Sequence, residues 1–287
     1  MPDQPTTPSP PVDLALRPGI RAIRRGGGTV QVGLRGPVFT GDPDEPAGWP
    51  AEILGRLSAH GLTVDPTTLR LTQLVDPEVA RSRAAVIAAH GDRAPEVIRA
   101  REQSRVLVVG PHRLTNPIRT LLRQSGVPAQ QTDVVDPPGP RPDVVLLVRQ
   151  AEMPRAWTDR WLRDSVPYLP VRAVEGRVIA GPFCVPDLTA CLRCVDHQRS
   201  GDDPRIPLLV EQYAACPGGA IPEPVEATAW TTATALAAHD VVRFLDGHRP
   251  QLWSATMTLG GADGPAQDEW LRDPRCGCCW ATETAVI

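Results

Sequence analysis

The sequence predicts a doubly wound, Rossmann-type α/β sheet preceded by a small winged-helix-like α+β domain. Two observations carry this. The continuous apolar run Val106-Leu107-Val108-Val109 ends at Gly110, and an amphipathic stretch and further short apolar runs follow; buried parallel strands alternating with helices have this pattern. Upstream, two short strand-like runs flank three consecutive glycines and lead into short helical patterns.

In chain order, residues 1–13 are rich in Pro, Thr and Ser and read as a disordered tail. The first domain is expected over 14–100. Runs at 20–24 and 29–34 read as a hairpin turning at Gly26-Gly27-Gly28, and 41–48 as a loop. Residues 49–60 read as a helix with Ile53, Leu54 and Leu57 on one face and Gly61 as its stop. Further helices are expected from Asp65 or Pro66 and over 77–90, the latter with Val79, Val86 and Ile87 apolar. The second domain is expected over 101–287. It opens with the strand 106–109 and a helix over 116–125, whose inward residues are Ile118, Leu121 and Leu122. A short strand near 130–135, the loop PPGPRP, a strand at 144–148 and a helix at 155–164 come next. Short strands at 171–174 and 178–179, an Ala-rich helix over 223–246 and a strand at 252–259 complete the pattern.

A chain of 287 residues, 41% hydrophobic and 22% charged, can bury a real core in one large or two unequal domains. A net charge of -3 excludes the general basic footprint of a nucleic-acid binder. No window approaches the ~18 apolar residues of a membrane-spanning helix. The amino terminus lacks a signal-peptide pattern, so the expected location is cytoplasmic. All 30 basic residues are arginine, which excludes a Walker lysine or a Schiff-base lysine.

Seven cysteines stand at 184, 191, 194, 216, 276, 278 and 279. Cys191 and Cys194 form a C-x-x-C knuckle; Cys276 forms a second with Cys279 or, alternatively, with Cys278. Four thiolates suit tetrahedral zinc and leave no open position, so the expected metal is structural, clipping the tail to the domain body. A redox C-x-x-C is the competing reading, without a thioredoxin-like context. Cys184, in GPFCVP, reads as a core residue. Cys216 precedes the long helix and is either an incidental loop residue or a reactive thiol.

The segment GPFCVPDLTACLRCVDHQRSGDDP (181–204) resembles the ThiF-like, ubiquitin-activating-like cyclodehydratase-domain proteins of thiazole/oxazole-modified (TOMM, bacteriocin-type) peptide biosynthesis. The tail RDPRCGC (272–278) resembles that family's His-Pro-x-Cys-Gly-Cys ending, with Asp273 for the His, and RPGIRAIRRGGGTVQVG (17–33) resembles its opening. The ending favours Cys278 as the fourth ligand; the spacing favours Cys279. In the wider superfamily a glycine-rich turn cradles ATP. Here that window reads Gly110-Pro111-His112-Arg113-Leu114-Thr115, keeping one glycine and losing an amide at Pro111. The Mg-ATP acids are replaced by a run that includes Arg149, Gln150 and Ala151. Arg113 and Arg119 could meet an anion, and Asp133 or Asp136 stands where a ribose-binding acid would.

The resemblance therefore implies a pseudo-enzyme that does not use ATP: an adapter of RiPP biosynthesis. It would bind the leader of a ribosomal precursor peptide and present it to a YcaO-type partner. The leader would add as a strand to the edge formed by Thr29, Val30, Gln31, Val32 and Gly33, packing on a helix within 50–62 or 77–90. Two alternatives stand beside it: an adenylyl- or sulfur-transfer enzyme using Cys216, and a structural homodimer outside peptide biosynthesis, with the helix 223–246 interfacial or in the core.

Overall fold

The computed structural model describes residues 14–44, 49–216, 223–262 and 264–278; the expected disordered tail lies outside them. The chain divides into two compact units between Arg99 and Ala100.

The first unit opens with β1 (Ala15–Leu16), β2 (Ala22–Gly26), β3 (Thr29–Val32) and β4 (Val38–Thr40). Strands β2, β3 and β4 form an antiparallel sheet in that order. The turn between β2 and β3 needs its glycines: Gly26, Gly27 and Gly28 have φ of 95°, 57° and 72°, where a Cβ is disfavoured. Val30 and Val32 are fully buried and alternate with Thr29 and Gln31, as a one-sided strand should. Their core includes Leu57 of α1 (Ala51–Ala59) and the edge-to-face pair Phe39–Trp49, 4.9 Å between centroids.

One expectation is overturned here. Val30 lies opposite Arg24 of β2 on one side and Phe39 of β4 on the other, and the Gly33 amide donates to the Arg21 carbonyl at 2.8 Å. The segment Thr29, Val30, Gln31, Val32 and Gly33 is thus the middle of the sheet, its ladder groups already paired, and offers no open edge. The edges are β2 and β4.

Strand β5 (Thr63–Val64) pairs with β1. Helices α2 (Pro66–Leu69) and α3 (Pro77–His90) both begin at Asp-Pro: the Asp65 and Asp76 carboxylates accept the amides of Thr67 and Glu78, and proline takes the first turn. Helix α4 (Ala94–Gln103) carries the unit boundary. Val86 and Ile87 of α3 and Val97 and Ile98 of α4 share a second small core with Val64.

The second unit comprises β6 (Val106–Val109), α5 (His112–Gln124), β7 (Ala129–Thr132), β8 (Val144–Arg149), α6 (Arg155–Arg163), β9 (Tyr168–Val174) and β10 (Arg177–Ala180), then α7 (Leu192–Arg199), α8 (Ile206–Ala215), α9 (Ala227–Leu245), β11 (Ala255–Leu259) and β12 (Ala266–Glu269). Its seven-stranded sheet has the order β12-β11-β10-β9-β8-β6-β7. The four strands β7, β6, β8 and β9 are parallel, and β10 to β12 extend them antiparallel. All four residues of β6 are buried because both faces are covered. Val106 and Val108 face Ile118 and Leu122 of α5 and the alanines of α9; Leu107 and Val109 share the opposite core with Trp161 of α6 and Leu192 of α7.

In α9, Ala229, Ala233, Ala237 and Val241 recur at every fourth position and are buried, so the backbone can approach the sheet closely. Asp240 is fully buried in the same helix and accepts the amides of Gln251 and Leu252 at 2.8 and 2.7 Å. Burial pushes its carboxyl above the ordinary range, against the pull of those amides. The helix starts at Ala227 rather than 223 because Glu223 precedes Pro224, and a residue before proline favours extended backbone. Among the described residues no helix is long and apolar enough to cross a membrane.

Candidate functional site

Cys191 caps the amino terminus of α7, and the C-x-x-C spacing sets Cys194 in that helix's first turn. A 3-10 turn, Pro274–Cys276, brings the tail alongside. Asp273 caps that turn: it accepts the Arg275 amide at 2.9 Å and pairs with the guanidinium at 2.8 Å. Its carboxyl is held low, chiefly by the Arg275 side chain. Gly277 follows at φ 75°, a left-handed position that turns the chain so that Cys278 points back.

Cys191, Cys194, Cys276 and Cys278 thus converge, their sulfurs all within 4.8 Å of one another, a set that could hold a metal ion. Sulfurs ~2.3 Å from a tetrahedral zinc would stand about 3.8 Å apart. The separations are 3.7 Å for Cys191–Cys194, 3.9 Å for Cys191–Cys276, 3.6 Å for Cys194–Cys278 and a shorter 3.2 Å for Cys194–Cys276. Cys276 and Cys278 are closer, at 2.7 Å, yet well beyond the ~2.05 Å of a disulfide. The donor set is soft and fits zinc. Hydrogen bonds from Cys191, Cys276 and Cys278 push the Cys194 thiol down, and the Asp273 amide adds another at 3.3 Å. Cys279, the ligand that the spacing favours, lies outside the described residues; Cys278, which the family resemblance favours, stands in the cluster. Cys184 is fully buried, as its apolar setting predicts, and burial pushes its thiol up to about 12.

Beside the cluster is an ion network that sequence reading missed. Arg155, 2% exposed, grips Asp196 of α7 at 2.6 and 2.7 Å and also donates to Glu152 at 2.9 Å. Arg172 of β9 pairs with the same Glu152 oxygen at 3.2 Å. Burial opposes ionisation of Glu152, but the Arg172 and Arg155 charges outweigh it and hold the carboxyl down at about 2.

The crevice at the carboxyl ends of β6 and β8 is where an open α/β sheet binds ligands. Gly110 survives there for a steric reason: a Cβ would stand 2.2 Å from the Val148 carbonyl oxygen. Pro111 caps α5, His112 and Arg113 begin it, and the Thr115 side chain is buried, its hydroxyl turned to the Pro111 and His112 carbonyls at 3.3 Å. Gln131 reaches in from β7 to the Gly110 carbonyl at 2.8 Å and to Asp133 at 3.1 Å. Asp136 pairs with Arg160, whose hydrogen bond lowers the carboxyl. At the end of β8, Arg149 donates to the carbonyls of Glu152 (2.6 Å) and Ala214 (3.0 Å), its guanidinium 5.3 Å from the Trp157 ring centroid. A cation is thus anchored at the carboxyl end of β8.

Cys216 is exposed and closes the carboxyl end of α8. Its backbone amide donates to the Gln212 and Tyr213 carbonyls, which places the residue at the carbonyl end of that helix. In the first unit, an apolar groove of about 600 Å³ runs beside β2, lined by Ile20, Ile23, Leu34, Leu62 and His60 with Arg21 and Arg35. Ile23 and Leu34 are 41% and 89% exposed. Among the described residues, no strand pairs with the outer side of β2.

No protein-family model matches the chain, and no curated protein sequence matches it. Its fold is similar to solved structures at low identity. A heterocyclase in complex with substrate and cofactor is 17% identical with a TM-score of 0.66, over 93% of this chain and 39% of that one. The heterocyclase TruD is 15% identical with a TM-score of 0.65, over 93% and 42%. The microcin C7 biosynthetic enzyme MccB in complex with N-formylated MccA is 15% identical with a TM-score of 0.60, over 93% and 99%. This chain therefore spans about two fifths of the two heterocyclases.

Proposed function

We propose that this chain is a ThiF-like, zinc-stabilised adapter of TOMM/RiPP biosynthesis that binds a precursor-peptide leader and presents it to a separate YcaO-type cyclodehydratase. The observation that carries the reading is the unpaired outer side of β2 beside the groove of Ile23 and Leu34. In the winged-helix-like first unit a leader would add as a strand to β2, backbone pairing supplying affinity and the groove taking an apolar side chain. Arg21 and Arg35 on the groove favour acidic neighbours in that leader.

Three further features support the reading. The nucleotide turn lacks the amide at 111 and the open space at 115. The Arg149 guanidinium is committed to two carbonyls in the β8 run. The fold likeness includes two heterocyclases longer than this chain, which would leave the chemistry to a partner here. Four soft donors with no open position suit a structural zinc at Cys191, Cys194, Cys276 and Cys278.

The test is a titration of labelled leader peptide with and without Mg-ATP, with pyrophosphate exchange read on the same sample. Binding that ignores the nucleotide, without exchange, is expected. Peptide-stimulated exchange that is lost in Cys216→Ala would replace the adapter with a transfer enzyme.

A further inference from the structure

Parallel strands are joined by crossovers that usually lay a helix on the sheet. Between β7 and β8, residues 133–143 contain no helix. Pro137, Pro138, Pro140 and Pro142 fix φ and remove amide donors, so the segment skirts the sheet instead. Leu107 is paired with Gln130, and Thr132 follows on the same face by the two-residue period. Over these residues lies a cavity of about 660 Å³, walled by the proline segment, by Arg160 and Trp161 of α6 and by Asp164 just after it. No cysteine lines it, and it adjoins the crevice at Gly110 through Gln131, which lines the cavity and donates to the Gly110 carbonyl.

Two observations say what it accepts. Trp161 is 3% exposed, and its indole Nε1 has no hydrogen-bond partner. The indoles of Trp49 and Trp270, by contrast, donate to the Asp42 carbonyl and the Thr256 hydroxyl. A buried donor without an acceptor is costly, and a ligand acceptor removes the cost. The second observation is charge. Arg160 is neutralised by Asp136 and Asp164. Arg105 and Arg141 also line the cavity; the Arg141 guanidinium donates to the Ser165 carbonyl, the Asp143 carboxylate accepts the Arg105 backbone amide, and neither guanidinium makes an ion pair among the described residues. The mouth is therefore positive over an apolar floor of Leu107 and a proline wall. The volume falls in the range of about 300–1,000 Å³ typical of small-molecule sites.

We propose that this cavity binds a small organic anion with a planar aromatic body. The ring lies against Leu107 and the prolines, an acceptor on it meets Trp161 Nε1, and its acidic group stands between Arg105 and Arg141.

The probe is 1-anilinonaphthalene-8-sulfonate, a naphthalene sulfonate, titrated into the full chain carrying Ile23→Asp, which blocks the apolar groove beside β2, and followed by dye fluorescence. A saturable site is expected. Gln130→Trp, a change on the exposed sheet edge that fills the cavity, should abolish it. Trp161→Phe keeps a ring and removes the donor, and should weaken binding about tenfold. Arg105→Ala with Arg141→Ala should weaken it similarly and flatten its salt dependence. Circular dichroism establishes that each variant is folded, and the surface pair keeps the test open if Trp161→Phe is not. No saturable binding, or saturable binding that wholly survives Gln130→Trp in folded protein, overturns the proposal.

Discussion

Arg155 and Asp196 meet inside the second unit as a two-pronged ion pair, Nε to Oδ2 at 2.6 Å and Nη2 to Oδ1 at 2.7 Å. The pair ties the start of α6 to α7, the helix that carries Cys191 and Cys194. Glu152 completes the charge balance by facing both Arg155 and Arg172.

The network gives stability a pH dependence. The Glu152 carboxyl is held at about 2 against an ordinary 4.5. A depressed carboxyl contributes stability that is fully present above the ordinary value and is lost as pH falls toward the folded one. The shift corresponds to about 3 kcal/mol. Chemical denaturation between pH 5 and pH 2 should show that loss. Glu152→Gln should remove much of the dependence and, by leaving buried guanidinium charge uncompensated, cost about 3 kcal/mol at pH 7.

Zinc content distinguishes the two candidate fourth ligands. Wild-type protein should carry one zinc per chain by atomic emission. Cys194→Ser and Cys278→Ser should lose it, and Cys279→Ser should keep it. The reverse result for the last two would give the place to Cys279.

Gly110→Ala sets a Cβ 2.2 Å from the Val148 carbonyl oxygen. Strand β6 or β8 must then shift, at about 2 kcal/mol. Thermal melting should fall by several degrees, while leader binding on the first unit stays unchanged.

Ile23→Asp and Leu34→Asp place a charge in the groove beside β2. Each should weaken leader binding at least tenfold by fluorescence anisotropy without lowering the melting temperature, because both side chains are exposed. Thr29→Ala on the middle strand should have little effect.

Much of the second unit was legible because its signals are local. The run 106–109 reads as a strand buried on both faces. In the first unit, the Asp76-Pro77 start and the Gly91 stop delimit α3 at both ends. Strand β4 was missed because three residues carry no usable alternation, and that omission made β3 look like an edge. Helix α4 was missed because its sequence, APEVIRAREQ, offers only the adjacent pair Val97 and Ile98 as large apolar residues, too few to show a helical period. Arg155 was illegible for a different reason: RAWTDRWLR reads as a helix, and nothing local reveals that an aspartate far along the chain meets its first residue. The cysteines were legible as a cluster; which of the last two joins it depends on the left-handed Gly277.

The meeting of Cys191 and Cys194 with Cys276 and Cys278 has a topological side. It closes a loop that contains α8, α9, β11 and β12. Most of what that loop encloses never touches a sulfur: the alanine stripe of α9 belongs to the core on the opposite face of the sheet. A metal bound at the cluster would act on those elements through the entropy of the unfolded chain, by shortening the excursions open to them. Chelation should therefore speed amide exchange in α9 and β11 as well as around the thiols, the loosening following the strand of chain rather than distance in space.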